Sequence, residues 1–116
     1  MTEKVALFAF NGDPMCFVHV LLNALDMENR GYDVKVIIEG SATKTVNLLN
    51  EPQAQFNNLY KKVKEKDLID CVCKACAVKM GALQGIEEQG LPLCAEMSGH
   101  PSMAKYIELG YTIITF

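Results

Sequence analysis

Two hydrophobic periods alternate along this chain. Short apolar runs rich in β-branched and aromatic residues predict buried strands, whereas apolar residues spaced three and four apart predict helices. The predicted strands cover residues 4–10, 33–38, 68–73, 91–97 and 111–116. The predicted helices cover residues 14–30, 41–49, 52–66, 74–88 and 101–110. Glycine, proline and asparagine at the junctions mark the turns between these elements.

This alternation of strands and helices predicts an α/β fold. Because β-α-β crossovers are right-handed, we expect a three-layer structure in which a five-stranded, mainly parallel sheet carries helices on both faces. The 116 residues are enough for one hydrophobic core, and we expect a single domain over residues 1–116. The order of the strands in the sheet is left open.

The carboxyl edge of the sheet is the predicted location of the functional site, because ligands of open α/β sheets bind there. The loops at this edge are residues 11–15, 39–43, 73–76 and 97–101. Asn11 and Gly12 form a turn whose backbone N–H groups are candidates for binding an anion. His100 is a candidate hydrogen-bond donor or base, although a helix-capping or exposed histidine is the competing interpretation.

Composition narrows the classes of function. The net charge is −3 and there is no block of Lys or Arg, so we expect no nucleic-acid binding. The apolar run at residues 5–10 is shorter than a secretory signal, and no stretch approaches about 20 apolar residues. We therefore expect a cytoplasmic protein with no membrane association. The odd count of five cysteines argues against a disulfide framework.

Three of the cysteines lie together at the junction between the third strand and the following helix, as C-x-C-x2-C. Cys71 lies within the strand, on the face shared with Cys73, and is interpreted as a small apolar core residue. Cys73 ends the strand where the N–H groups of the helix and Lys74 favour a thiolate, which predicts a lowered pKa and a nucleophilic sulfur. Cys76 is then a second, resolving or sulfur-accepting thiol.

Other interpretations of this cluster compete with the nucleophile hypothesis. A C-x2-C pair is typical of thioredoxin-like redox sites, but there it follows the first strand and here it follows the third. A closed zinc site needs a fourth ligand, which His19, His100 or Cys94 would have to supply. Nothing in the spacing brings these together, and Cys94 reads as a core residue of the fourth strand. We therefore assign no metal ligands and expect no cofactor.

The chain resembles the DsrE-like family of small α/β sulfur-relay proteins (DsrE/TusD type), whose order of elements is shared with flavodoxin-like folds. The resemblance rests on GSATKTVNLL after the second strand, on CVCKACAVKMG and on the terminal PLCAEMSGHPSMAKYIELGYTIITF. Members carry a reactive cysteine after the third strand, followed by small residues and a glycine. The matching positions here are Cys73, Ala75, Ala77 and Gly81. The resemblance implies a persulfide on Cys73 and a trimeric or hexameric assembly.

Together these observations favour a small sulfur-handling protein that holds persulfide sulfur on Cys73, with Cys76 as an internal partner and donor and acceptor proteins as its partners. Whether it turns over as an enzyme is left open. One alternative is a non-enzymatic oligomeric protein that binds a small ligand or a metal. Another is a thiol redox sensor that uses Cys73 and Cys76.

Overall fold

A computed structural model describes residues 2–116, and strands and helices alternate through this range. The strands are β1 (Lys4–Ala9), β2 (Asp33–Ile38), β3 (Ile69–Cys73), β4 (Leu93–Cys94) and β5 (Thr112–Thr115). The helices are α1 (Pro14–Asn29), α2 (Ala42–Leu49), α3 (Asn57–Glu65), α4 (Lys74–Lys79), α5 (Leu83–Glu88) and α6 (Met103–Glu108). Within residues 2–116, no helix has both the length and the hydrophobicity needed to cross a membrane.

The strands form one parallel sheet in the order β4-β3-β2-β1-β5, which confirms the predicted α/β class. The chain moves across the sheet in one direction from β1 to β4, so right-handed crossovers place α1 to α5 on one face. Since β5 pairs with the other side of β1, the last crossover runs back across the sheet. It places α6 on the opposite face.

The two faces of the sheet carry unequal cores. Alternate residues of β1 point to opposite sides, with Leu7 in the large core under α1 to α5 and Phe8 in the smaller core under α6. The small core depends on Tyr106, which packs edge-on against both Phe8 and Tyr111. Among the described elements, α6 alone covers this face, so helices do lie on both faces but in very different numbers.

Two predicted helices are shorter or divided in the structure. The helix predicted over residues 52–66 begins only at Asn57, because Phe56 before it has a left-handed backbone with φ of 72°. The helix predicted over residues 74–88 divides into α4 and α5 around Gly81, whose φ of +70° ends α4. The chain changes direction at this point, and the N–H of Ala82 donates to the carbonyl of Ala77 and so caps the end of α4.

The fourth strand is much shorter than the predicted residues 91–97. Only Leu93 and Cys94 pair with β3, because the chain then leaves the sheet and turns back on itself. Met97 and His100 exchange backbone hydrogen bonds of 2.8 and 2.9 Å across this tight turn. The turn, rather than a continued strand, carries His100 toward the carboxyl edge of the sheet.

Cys71 and Cys94 are buried core residues, as predicted, but they form a disulfide, so the expectation against a disulfide framework was wrong for this pair. The pairing follows from the strand order. Cys94 in β4 lies beside Cys73 in β3, and Cys71 is two residues earlier on the same face. The Cα atoms of Cys71 and Cys94 are 5.6 Å apart, a separation that a disulfide spans.

Candidate functional site

A compact cluster of four reactive side chains lies at the carboxyl edge of the sheet. Glu39 directly follows β2, Cys73 ends β3, Cys76 lies in the first turn of α4, and His100 lies in the turn after β4. One ligand atom from each of the four lies within 4.8 Å of the other three. The ends of three consecutive parallel strands therefore meet at one site, as expected for ligand sites at the carboxyl edge of an open α/β sheet.

Cys73 is at the centre of the cluster. It is fully buried and serves as the N-cap of α4, because its backbone is extended and its Sγ accepts the N–H of Cys76 at 3.4 Å. Its S–H donates to the carbonyl oxygen of Gly99, with 3.7 Å between Sγ and that oxygen. The sulfur is thus held between the start of a helix and the turn after β4.

His100 brings an imidazole to both thiols. Its Nδ1 is 3.1 Å from Cys73 Sγ and 3.8 Å from Cys76 Sγ. Gly99 permits this approach because its φ is +92° and its Cα packs closely over Ala75, where a Cβ would come within 3.1 Å. The N–H of Ala75 also donates to the Gly99 carbonyl at 2.9 Å and so fastens the turn to α4.

The electrostatics of Cys73 differ from the sequence-based expectation. Burial raises the pKa of its thiol to about 12, and the neighbouring Cys76 and Glu39 add to the rise. The Cys76 N–H lowers this pKa, but desolvation outweighs it. The predicted lowered pKa was therefore wrong: the short α4 and the exposed Lys74 do not offset the loss of water around the sulfur.

Glu39 is the member of the cluster that sequence reasoning missed. Its residue is 7% exposed, and burial raises the pKa of its carboxyl to about 6. The one available signal was a charged residue placed directly after a fully apolar strand end at the carboxyl edge. On its outer side, Glu39 lines a largely apolar hollow of about 330 Å³ together with Phe10, Met97 and Met103.

Asn11 and Gly12 lie away from the cluster. The N–H of Gly12 donates to Ser41 Oγ at 2.9 Å, so it is not available to an anion as predicted. A Cβ at Gly12 would lie 2.6 Å from the Ser41 carbonyl oxygen, which shows that this glycine is needed for close packing of two loops. Asn11 Oδ1 accepts the N–H of Asp13 and shapes the start of α1. Asn11 also lines a separate hollow beside Cys16.

The fold and the site together define a small parallel α/β protein with a buried thiol–imidazole pair at the carboxyl edge of its sheet. Residues 4–116 match the DsrE/DsrF-like family, and the chain belongs to that family. This confirms the resemblance noted from the sequence.

Similar proteins come from archaea and bacteria. The chain is 34% identical over 97 residues to an uncharacterised protein of Methanocaldococcus jannaschii, covering 84% of this chain and 77% of that protein. It is 49% identical over 43 residues to an uncharacterised protein of Archaeoglobus fulgidus, covering 37% and 70%. A solved structure of a conserved protein of unknown function from Bacteroides thetaiotaomicron superposes with a TM-score of 0.70 at 18% identity, covering 98% of this chain and 95% of that one. The structural similarity supports the fold.

Proposed function

We propose that this protein carries persulfide sulfur on Cys73 and passes it to an acceptor thiol. The observation that carries the proposal is the 3.1 Å approach of His100 Nδ1 to Cys73 Sγ, with a second thiol, Cys76, beside the same nitrogen. Membership of the DsrE/DsrF-like family supports a role in sulfur relay. The resemblance noted from the sequence matches Cys73 to the family's reactive cysteine.

His100 supplies what the buried thiol lacks. A thiol whose pKa burial raises to about 12 is protonated at neutral pH and is a weak nucleophile. With its own hydrogen on Nε2, His100 accepts the Cys73 proton at Nδ1 as the sulfur attacks. The imidazolium then faces the developing thiolate across 3.1 Å, and the pair is formed only when a substrate arrives.

The loading step exchanges one sulfur–sulfur bond for another. The Cys73 thiolate attacks the terminal sulfur of a donor persulfide, R–S–SH, and the donor S–S bond breaks. The donor leaves as R–S⁻ and takes the proton from His100. The products are Cys73–S–SH and R–SH, so that atoms, charge and oxidation states balance without a cofactor.

Delivery is the reverse exchange with a different thiol. An acceptor thiol passes its proton to His100 as its sulfur attacks the terminal sulfur of Cys73–S–SH, and the Cys73 thiolate leaves and takes that proton from the imidazolium. Cys76 is the nearest acceptor, because its sulfur is half-buried beside the same imidazole. We assign it the role of an internal partner between Cys73 and the external acceptor.

A direct test is intact-protein mass spectrometry after incubation with a low-molecular-weight persulfide. Cys16 is free and exposed on α1, so Cys16→Ser is the background for every variant. We expect a gain of one sulfur atom in this background and in Cys76→Ser, and none in Cys73→Ser. Loading that survives Cys73→Ser, or an absence of loading in all variants, would refute the assignment.

We also propose that the protein assembles as a homotrimer or homohexamer. The sheet face covered by α6 is the thinner side of the molecule, and large apolar side chains are exposed on and around it, among them Phe10, Met97, Ile107 and Leu109. Such a surface on a small protein is typical of an interface. Light scattering at micromolar concentration tests this, and a monomer would contradict it.

A further inference from the structure

We propose that Glu39, Cys73, Cys76 and His100 form a four-ligand site for Zn²⁺. The proposal concerns the reduced, sulfur-free protein and does not depend on the proposed sulfur chemistry. It was not reachable from sequence spacing, because the ligands come from three strand ends and one helix that only the sheet order brings together.

The donor set suits zinc. Two thiolate sulfurs, one imidazole nitrogen and one carboxylate oxygen are the ligand types that Zn²⁺ takes in tetrahedral sites. Thiolates also select against Mg²⁺ and Ca²⁺, which prefer oxygen ligands throughout. With both thiols deprotonated, the bound Zn²⁺ and its ligands carry one net negative charge, and binding releases two protons from the cysteines.

The distances agree with a tetrahedral centre. Zn–S bonds of about 2.3 Å and Zn–N bonds of about 2.0 Å place neighbouring sulfur and nitrogen ligands roughly 3.5 Å apart. The observed Sγ–Nδ1 distances are 3.1 Å from Cys73 and 3.8 Å from Cys76, on either side of that value. All four ligand atoms lie within 4.8 Å of one another, so small side-chain rotations close the site.

A second observation points to a cation independently of the thiols. The Glu39 residue is 7% exposed and borders the hollow beside Phe10 and Met97, and within residues 2–116 its carboxylate takes part in none of the ion pairs. A carboxylate with little contact to solvent and no cation beside it is destabilised, and coordination of a metal offsets that cost. Zn²⁺ beside Cys73 would supply that cation.

The surroundings hold the ligands in place as outer-shell groups do in metal sites. The N–H of Cys76 donates to Cys73 Sγ, as a backbone donor does to a metal-bound thiolate. The turn that carries His100 is fixed by its hydrogen bonds with Met97. Bound Zn²⁺ would therefore link the ends of β2 and β3 to α4 and to this turn.

The test uses the full chain in the Cys16→Ser background, reduced, stripped with a chelator and never exposed to persulfide. Zn²⁺ is titrated against a chromophoric zinc indicator, and Co²⁺ is added separately as a spectroscopic probe. We expect one Zn²⁺ per chain and a Co²⁺ spectrum with thiolate charge-transfer bands. Circular dichroism of each variant establishes that it is folded.

The variants separate this site from adventitious binding by thiols. We expect Cys73→Ser and Cys76→Ser each to weaken the thiolate bands, since each leaves one thiolate ligand, and the double variant to lose them. We expect Glu39→Gln and His100→Gln each to weaken Zn²⁺ binding at least about 10-fold. The Cys71→Ala, Cys94→Ala double variant should retain full binding, because Cys71 and Cys94 lie outside the cluster whether they are joined as the disulfide or reduced. A stoichiometry near zero, or unchanged affinity in folded Glu39→Gln, would overturn the four-ligand assignment. Failure of persulfide loading alone would leave it standing.

Discussion

Two pairs of cysteines lie a few residues apart in this protein and have different chemistry. Cys71 and Cys94 are closed as a disulfide beneath α6, whereas Cys73 and Cys76 are free thiols beside His100. Burial does not explain the difference, since Cys71 and Cys94 are about 5% exposed and Cys73, a free thiol, is not exposed at all. The difference lies in position along β3.

Position along β3 decides which groups surround each sulfur, because Cys71 and Cys73 share a face of the sheet but only Cys73 lies at its edge. Cys71 lies inside the sheet, where its neighbours are the adjacent strand and Tyr106 of α6, whose hydroxyl is 3.7 Å from its sulfur. Cys73, two residues on, is the last strand residue: it still pairs with Cys94 of β4, but its sulfur contacts the turn of Gly99 and His100. A cysteine within the sheet contributes a covalent link, whereas the cysteine at the edge is a free thiol beside an imidazole. The predictions below test this division.

The largest effect is expected from His100→Gln. If His100 accepts the Cys73 proton, its removal should slow persulfide loading of Cys73 by about 10²- to 10⁴-fold, the usual contribution of a general base. The measurement is the rate of sulfur gain by mass spectrometry in the Cys16→Ser background. His19→Gln is the matched control, because His19 is an exposed residue of α1. Equal rates in the two variants would mean that the imidazole does not act on the thiol.

Next in size is the loss of the disulfide. Its sequence separation is 23 residues, and closing a loop of that size stabilises a fold by about 3 kcal/mol. The Cys71→Ala, Cys94→Ala double variant should lower the free energy of unfolding in urea by about that amount and still load sulfur on Cys73. Cys76→Ser removes a thiol without a covalent link and should cost much less. Equal losses in the two would show that the pairs do not differ in structural role.

The sequence predicts those features of the molecule that depend on residues close together in the chain, and it misses those that depend on contacts between distant segments. Local apolar runs predict the bounds of β1, β2 and β3 to within one residue. The positions of Cys73, Cys76 and His100 near strand ends are also visible in the local sequence, and they predict these residues as members of the site. The disulfide and Glu39 required the strand order, because they join segments that are distant in the chain.

The raised pKa of Cys73 could not be read locally either. Its cause is the burial of the sulfur under the turn that carries Gly99 and His100, 26 and 27 residues further along the chain. The sequence shows the helix that would stabilise a thiolate, but it does not show the packing that removes water from it. Local reasoning therefore places the thiol correctly and assigns its pKa the wrong direction.

A smaller stability effect should come from Tyr111→Phe on the α6 side. The Tyr111 hydroxyl donates to the Asp33 carboxylate at 2.8 Å, and a hydrogen bond to a charged group contributes about 1.5 kcal/mol or more. Desolvation, reinforced by Asp33, raises the pKa of Tyr111 to about 12 from 10.0. Below pH 10 the tyrosine keeps its proton in both the folded and the unfolded chain. The difference in unfolding free energy between wild type and Tyr111→Phe should therefore have its full value in that range.

Above pH 10 the unfolded chain loses this proton first, and the stability difference should decline toward pH 12. Urea unfolding at pH 7 and at several values above 10 measures the trend, while persulfide loading at pH 7 should be unchanged. A stability difference that grows with pH would contradict the assigned direction of the shift. A loss of loading would show that the α6 side and the edge site are not separable.

Gly99→Ala is expected to cause the smallest loss of stability among these variants, and it should also affect the site. The φ of Gly99 is +92°, so alanine should cost about 1 kcal/mol in backbone strain, and its Cβ would meet Ala75 at 3.1 Å. Gly31→Ala is a matched control, because Gly31 has a φ of +88° and no atom within 4 Å of the added Cβ. The two variants therefore share the backbone penalty but differ in the contact.

If the close packing of Gly99 on α4 positions His100, Gly99→Ala should slow persulfide loading and Gly31→Ala should not, although their unfolding free energies fall by similar amounts. Loading rates and urea unfolding measured on the same preparations decide this. Since the disulfide lies within the sheet, it should remain formed in both variants by thiol titration under denaturing conditions. Equal loading in the two variants would mean that the turn tolerates displacement, and the edge site would then not depend on the contact between Gly99 and Ala75.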